Sequence, residues 1–210
     1  MAIVVIGGHS RNIGKTSVAC RLISAFPECA WTALKITQFG HGVCSANGEP
    51  CDCETADHTL AISEERNAAS GTDSSRYLAA GAARSVWVRT RQGQLAAAMP
   101  RVRAEIAKAE NAVLESNSVL RFLKPDLYLA VLDPSVADFK PSALRYLDRA
   151  DALLYSGQTG QGTWPGVSPS LLAQVPAFRI AAPVYWSGEV ERFVRARLSG
   201  TPKSAALAVS

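Results

Sequence analysis

The stretch AIVVIGGHSRNIGKTSVAC, residues 2–20, joins an apolar run to a glycine-containing turn and the start of a helical pattern. The apolar run predicts a buried β-strand that ends near Gly7. The residues from Gly14 onward predict an amphipathic helix that opens on Gly14-Lys15-Thr16. A strand, a glycine turn and a helix in this order are typical of a phosphate-binding loop, in which backbone N–H groups face phosphate oxygens.

The turn is one residue longer than the usual phosphate-binding loop. In the usual pattern a glycine stands five positions before Gly14, but here that residue is His9 and the nearest glycine is Gly8. We expect Lys15 to reach the β- and γ-phosphates and the Thr16 hydroxyl to bind Mg²⁺. The alternative is a glycine-rich turn that binds no ligand. The predicted nucleotide contacts are Gly8, His9, Ser10, Arg11, Asn12, Ile13, Gly14, Lys15, Thr16, Ser17 and Lys35.

Strand-like and helix-like segments alternate along most of the chain. This alternation predicts an α/β fold with a doubly wound, mostly parallel sheet and helices on both faces. We expect one nucleotide-binding domain over residues 1–198, an insertion at about 38–73 and a mobile tail at 199–210. Pro100 is expected to kink or divide the helix predicted at 93–109.

Composition narrows the expected partners and location. The formal net charge is +4 without a long Lys/Arg run, so nucleic acid is not implied. The chain starts on a strand-like segment without a secretory pattern, and no apolar stretch approaches the length of about 18 residues that a membrane span needs. We therefore expect a cytoplasmic protein without a membrane partner. A monomer and a homodimer both remain open.

The predicted insertion concentrates thiols and imidazoles. Their density suits Zn²⁺ or an iron–sulfur cluster, although the spacing Cys-x6-Cys-x-Cys is not a standard zinc pattern. The alternative is a set of small, partly buried cysteines in an ordered loop. The predicted ligands are His41, Cys44, Cys51, Cys53 and His58.

Acidic and basic residues follow several of the predicted strands. Glu115 ends the strand predicted at 111–116, Asp73 precedes a predicted helix and Lys35 ends the second strand. The carboxyl ends of parallel strands line the ligand crevice of such folds. We therefore predict that Lys15, Asp73 and Glu115 are catalytic and that Thr16, Asp73 and Glu115 hold Mg²⁺. The alternatives are a solvated carboxylate for Glu115 and a helix N-cap for Asp73.

A later strand also ends in charged residues, since Asp133, Asp138 and Lys140 follow the apolar run DLYLAV. They are expected at the same ligand edge. The guanine-reading pattern Asn-Lys-x-Asp is absent from the sequence, so the choice between ATP and GTP stays open.

The loop resembles that of the dethiobiotin synthetases, which also carry one extra residue, and that of the molybdopterin-guanine dinucleotide biosynthesis protein B family. The second resemblance covers residues 2–116, and the cysteine-bearing insertion replaces that family's compact histidine-rich stretch. Its matching positions are Lys35, His41, Asp73, Ser74, Arg76 and Ala80-Gly81-Ala82.

The resemblance implies a P-loop protein that binds and hydrolyses ATP or GTP with Mg²⁺ in molybdenum-cofactor biosynthesis, with a cofactor-biosynthesis protein as partner. Two alternatives stay open. One is a nucleotide-switched metal-binding or metallochaperone module that uses Cys44, Cys51 and Cys53. The other is an ATP-dependent ligase similar to dethiobiotin synthetase.

Overall fold

A computed structural model describes residues 1–40, 42–43, 50–51, 60–157 and 162–200. Within these ranges the strands are β1 (Ile3–Gly8), β2 (Trp31–Phe39), β3 (Gly42–Val43), β4 (Pro50–Cys51), β5 (Leu60–Glu64), β6 (Arg84–Arg91), β7 (Asn111–Glu115), β8 (Leu127–Leu132), β9 (Ala152–Ser156) and β10 (Ala177–Ile180). The helices are α1 (Lys15–Ala25), α2 (Asp73–Ala79), α3 (Leu95–Ala107), α4 (Pro141–Leu144), α5 (Pro169–Gln174) and α6 (Gly188–Ser199).

The strand that opens the chain lies inside an eight-stranded sheet of order β10-β9-β8-β1-β7-β2-β6-β5. Neighbouring strands are parallel except β5, which runs antiparallel to β6 at the edge. Strands β3 and β4 form a separate antiparallel pair. The predicted mostly parallel sheet is confirmed.

Side chains of β1 alternate between two apolar layers. Ile3 and Val5 join a core cluster that contains the buried side of α3, whereas Val4 and Ile6 join a cluster that contains those of α1 and α6. A strand buried on both faces is apolar at every position, which explains the uninterrupted run at the start of the chain. The prediction of helices on both faces is therefore also confirmed.

The parallel register brings polar residues together at the carboxyl ends of the central strands. Ile6 of β1 lies opposite Glu115 of β7, and Lys35 of β2 lies opposite the same glutamate. At the other end of β1, the Ile3 N–H donates to Asp126 Oδ2 at 2.7 Å. The register therefore brings the end of β1, Glu115 and Lys35 to one edge, where the loop to α1 begins.

The segment predicted as an insertion contributes to the sheet at both of its ends. Strand β2 continues to Phe39, and Leu60–Glu64 forms the antiparallel edge strand, which the sequence pattern missed because this strand is short and only half-buried. His41, Cys44, Cys53 and His58 lie outside the described residues, and Cys51 is described only as part of β4. Of the predicted tail, residues 201–210 also lie outside them.

Helix α3 runs without interruption through Pro100, so the predicted division of this helix is wrong. Proline has no N–H to donate to the carbonyl of Ala96, and yet the helix continues because its buried side packs into the core through residues such as Met99 and Val102. Within the described ranges, no helix has the length and apolar character needed to cross a bilayer.

Replacing Pro100 with Ala should stabilise the protein. An interior proline destabilises a helix by about 3 kcal/mol, so its removal should stabilise the folded state. The greater conformational entropy of the unfolded alanine variant offsets about 0.4–1 kcal/mol of that gain. We expect the free energy of unfolding in urea to rise by about 1–3 kcal/mol. The neighbouring exposed Arg101→Ala serves as control and should change it by no more than about 0.5 kcal/mol. An unchanged or lower stability of Pro100→Ala would contradict this account.

Candidate phosphate-binding site

The loop between β1 and α1 has two residues in the left-handed region. Asn12 has a φ of 56° and Gly14 a φ of 94°. A Cβ on Gly14 would lie 2.3 Å from Cε1 of Tyr185, whose ring packs directly on this glycine. The positive φ of Gly14 and the close packing of Tyr185 both require glycine at position 14. Helix α1 starts at Lys15, so Thr16 and Ser17 lie in its first turn.

His9 holds the loop from behind. Its Nε2 accepts the Asp133 N–H at 2.9 Å, and its Nδ1 lies 2.7 Å from the Asp138 carbonyl oxygen, to which it donates. The buried ring also packs against Phe139 and Trp164. Burial lowers the pKa of His9 and favours the neutral ring that these bonds require. The imidazole therefore supports the loop, which corrects the prediction that it contacts a nucleotide.

Two more loop side chains also face the protein rather than a ligand. Ser10 Oγ donates to Asp138 Oδ2 at 2.8 Å, and the Ile13 side chain is buried in the core. Gly8 is held through its backbone, because its N–H donates to Asn117 Oδ1 at 2.9 Å and its carbonyl accepts from Asn117 Nδ2 at 2.8 Å. Asn117 was not predicted as a site residue. Its position two residues after the end of β7 is the signal that could have placed it at the carboxyl edge of the sheet.

Glu115 is the centre of the hydrogen-bond network. It is 6 % exposed, and its Oε2 accepts from Thr16 Oγ1 at 2.8 Å and from the hydroxyl of Tyr77. Burial and the charge of Glu115 raise the pKa of Tyr77 well above its usual value, so the phenol stays a donor. Tyr77 comes from α2 and was not predicted. The alternative of a solvated Glu115 is wrong, since the carboxylate is buried.

Lys35 links two carboxylates. Its Nζ lies 2.9 Å from Glu115 Oε1 and 2.5 Å from Asp73 Oδ2. Burial by itself would lower the pKa of Lys35, but the charge of Glu115 and the hydrogen bond to Asp73 raise it. Burial would likewise raise the pKa of Asp73, and the bond to Lys35 lowers it. Lys35 and Asp73 therefore each favour the charged form of the other.

Asp73 does not cap α2. The N-cap is Thr72, whose side-chain oxygen accepts the Ser75 N–H at 3.1 Å. Asp73 is the first helical residue, and its carboxylate is free to face Lys35, with Arg76 at 3.6 Å on its other oxygen. The N-cap alternative for Asp73 is wrong because the residue before it satisfies the helix end.

Lys15 lies mostly buried at the base of a polar cavity. Its Nζ donates to the Ser10 carbonyl at 2.5 Å. Burial lowers the pKa of Lys15 to about 8, the charges of Lys140 and Lys35 contribute to the decrease, and Glu115 opposes it. The cavity has a volume of about 230 Å³. Its lining residues are Asn12, Gly14, Lys15, Thr16, Ser17, Lys35, Asp73, Arg76, Glu115 and Tyr185.

The oxygen donors of the cavity fit Mg²⁺, which prefers carboxylate, hydroxyl and water ligands. The Thr16 hydroxyl donates a hydrogen bond to Glu115, so the lone pairs of the hydroxyl oxygen remain free for a cation. Asp73 and Glu115 line the same space. The described residues contain no cluster of three or more His, Cys, Asp or Glu side chains that could hold a metal ion by themselves, so such an ion would complete its coordination with water and phosphate oxygens.

The chain has an α/β fold with a mostly parallel sheet, and Gly-Lys-Thr lies at the turn between a central strand and the first helix. This arrangement is similar to that of the P-loop NTPases.

No protein-family model and no curated protein matches the chain. Among solved structures it is similar to LpxK from Aquifex aeolicus in complex with ATP, at 18 % identity over 85 % of this chain and 53 % of that one, with a TM-score of 0.45. It is also similar to HypB from Helicobacter pylori in complex with nickel, at 12 % identity over 96 % and 90 % of the two chains, with a TM-score of 0.45. The chain spans about half the length of the LpxK chain.

The Lys35–Glu115 pair should show a large coupling energy. Lys35→Met leaves Glu115 buried without its cation, so we expect the free energy of unfolding in urea at pH 7 to fall by about 1–3 kcal/mol. This is less than the roughly 3–5 kcal/mol typical of fully buried pairs, because Lys35 is partly exposed. Glu115→Gln in the Lys35→Met background should recover part of this loss, because an amide needs no counter-ion. Strictly additive effects of the two substitutions would contradict the direct interaction.

Proposed function

We propose that the protein binds a nucleoside triphosphate with Mg²⁺ in the cavity at the start of α1 and hydrolyses its terminal phosphate. One observation carries the proposal: the partly buried Lys15 ammonium lies at a polar cavity beside Thr16 and Glu115, and among the described residues it has no carboxylate within ion-pair distance. A partly buried cation without a counter-ion favours an anionic ligand.

Each part of the cavity then has a role in binding phosphate. Lys15 exchanges the Ser10 carbonyl for phosphate oxygens, and the N–H groups of the loop and of the first turn of α1 donate to the same phosphates. Thr16, Asp73 and Glu115 supply the oxygen atoms for the cation. A Mg²⁺ ion held by these residues would neutralise part of the phosphate charge.

Hydrolysis requires a group that orients water towards the terminal phosphate. Asp73 and Glu115 are the carboxylates at the cavity, and Lys35 holds both of them in place. The lowered pKa of Asp73 keeps that group anionic at neutral pH, so it can accept a hydrogen bond from the attacking water. Arg76, which donates to Ser17 Oγ at 2.9 Å, supplies a further positive charge.

The resemblance in sequence to the molybdopterin-guanine dinucleotide biosynthesis protein B family supports a role for this activity in cofactor biosynthesis. Three of the residues that carry the resemblance, Lys35, Asp73 and Arg76, line one cavity, which supports this assignment. The choice between ATP and GTP stays open. A cofactor-biosynthesis protein as the partner stays a prediction. The metal-binding module stays a prediction as well, because Cys44 and Cys53 lie outside the described residues.

Nucleotide titration tests the proposal. We expect ATP or GTP to bind with Mg²⁺ in calorimetry and Lys15→Ala to weaken binding by at least about 100-fold, because charge-assisted contacts to phosphate are lost. Glu115→Gln should keep binding and lower the rate of phosphate release by about 10- to 100-fold. Lys124→Gln, an exposed charge outside the cavity, is the control. Binding of neither nucleotide, or equal binding by Lys15→Ala, would overturn the proposal.

The pKa of Lys15 predicts a proton linkage. In the free protein Lys15 titrates at about 8, and a bound polyphosphate raises its pKa, so binding takes up a proton at pH 9 and little at pH 7. Affinity should therefore fall as the pH rises above 8. Calorimetry in two buffers of different ionisation enthalpy measures the uptake. Lys15→Arg keeps the charge at both pH values and should remove most of the uptake, whereas Lys140, whose pKa is also lowered, contributes the rest. Uptake that persists in full in Lys15→Arg would refute the assignment.

A further inference from the structure

The segment after β8 is fastened to the outer side of the phosphate-binding loop. The Lys140 N–H donates to the His9 carbonyl at 2.8 Å, and Asp138 binds both the His9 ring and the Ser10 hydroxyl. These bonds fix the backbone of Lys140 beside residues 9 and 10. A lysine backbone therefore lies directly beside the loop, held there by a bond to residue 9.

Lys140 and Arg11 form a pair of neighbouring cations. Lys140 is half-buried and Arg11 is exposed, and within the described ranges neither side chain has an ion pair. Burial and the charge of Arg11 both lower the pKa of Lys140, and Lys140 in turn lowers that of Lys15. Two adjacent like charges without a counter-ion repel each other, and an anion between them would relieve the repulsion.

The nearby carboxylates leave this pair without full compensation. Asp73 and Glu115 are both bound to Lys35, and Asp133 accepts from the N–H and the hydroxyl of Ser135. Asp138 is the remaining carboxylate, and one of its oxygens accepts from Ser10. Burial and the charge of Arg11 lower the pKa of Lys140, whereas the charge of Asp138 raises it, so the positive charge beside the loop is only partly compensated.

This partly compensated positive charge lies next to the cavity and not inside it. Neither Arg11 nor Lys140 is among the residues that line the cavity of Lys15 and Thr16. Arg11, which was predicted to contact the nucleotide, does not line this cavity. Once a nucleotide occupies Lys15, the two outer cations still lack an anion.

We propose that Arg11 and Lys140 form a second anion site, which binds a phosphate or carboxylate group of a small co-substrate beside the terminal phosphate of the nucleotide. The inference rests on the proposed nucleotide binding and deepens it. A guanidinium and an ammonium together suit either anion, since the guanidinium binds two oxygens at once and the ammonium adds a point charge.

Anion titration into nucleotide-loaded protein tests the site. The wild-type protein is saturated with Mg²⁺ and a non-hydrolysable triphosphate analogue, and inorganic phosphate and citrate are then titrated separately at constant ionic strength, with binding followed by NMR. We expect millimolar binding of at least one of the two. Arg11→Gln with Lys140→Gln should weaken it by at least tenfold. The control, Arg101→Gln with Lys124→Gln, removes the same charge elsewhere and should leave the anion affinity unchanged.

The outcomes separate this site from the nucleotide site. If the analogue binds but neither phosphate nor citrate does, the second site is absent while the proposed function stands. The affinity for a nucleoside diphosphate is measured as well. If the double substitution weakens binding of the triphosphate analogue but not of the diphosphate, the two cations bind the terminal phosphate and the inference is overturned. Failure of the analogue to bind at all overturns the proposed function and the inference with it. Equal loss in the control variant shows a general charge effect, which also refutes the site.

Discussion

The buried carboxylate of Glu115 is the group on which the arrangement of the site depends. It lies at the end of a central strand and binds Thr16 of the first helix turn, Tyr77 of α2 and Lys35 of β2. A carboxylate that is 6 % exposed needs such partners, because burial without them costs several kcal/mol. The same bonds that satisfy its charge therefore hold three separate elements around one cavity.

The long loop is supported from behind by side chains that never face the cavity. His9 uses both ring nitrogens on the segment after β8, and Asn117 binds both backbone groups of Gly8. These bonds fix the loop backbone to the segments that follow β7 and β8.

Charge is divided unequally around the loop. Inside the cavity Lys35 balances two carboxylates, while Lys15 has no ion pair among the described residues. Beside the loop, burial and the charge of Arg11 lower the pKa of Lys140, and the charge of Asp138 raises it. Ion pairs inside the site set its shape, whereas the unbalanced cations set what it attracts. An arrangement of this kind suits a protein that must bind and release anions, since a fully balanced site would have no electrostatic reason to take up a ligand.

The sequence by itself determined the α/β fold, the phosphate-binding loop and the placement of Glu115 and Lys35 at one edge, because strand periodicity, glycine positions and parallel topology are local or general rules. Only the tertiary structure decided that His9 supports the loop, that Thr72 and not Asp73 caps α2, and that Asn117 and Tyr77 belong to the site. These assignments depend on which polar groups meet across up to 129 positions of the chain. A single sequence carries no local signal for such contacts, since they are set by packing and by the need of buried polar groups for partners.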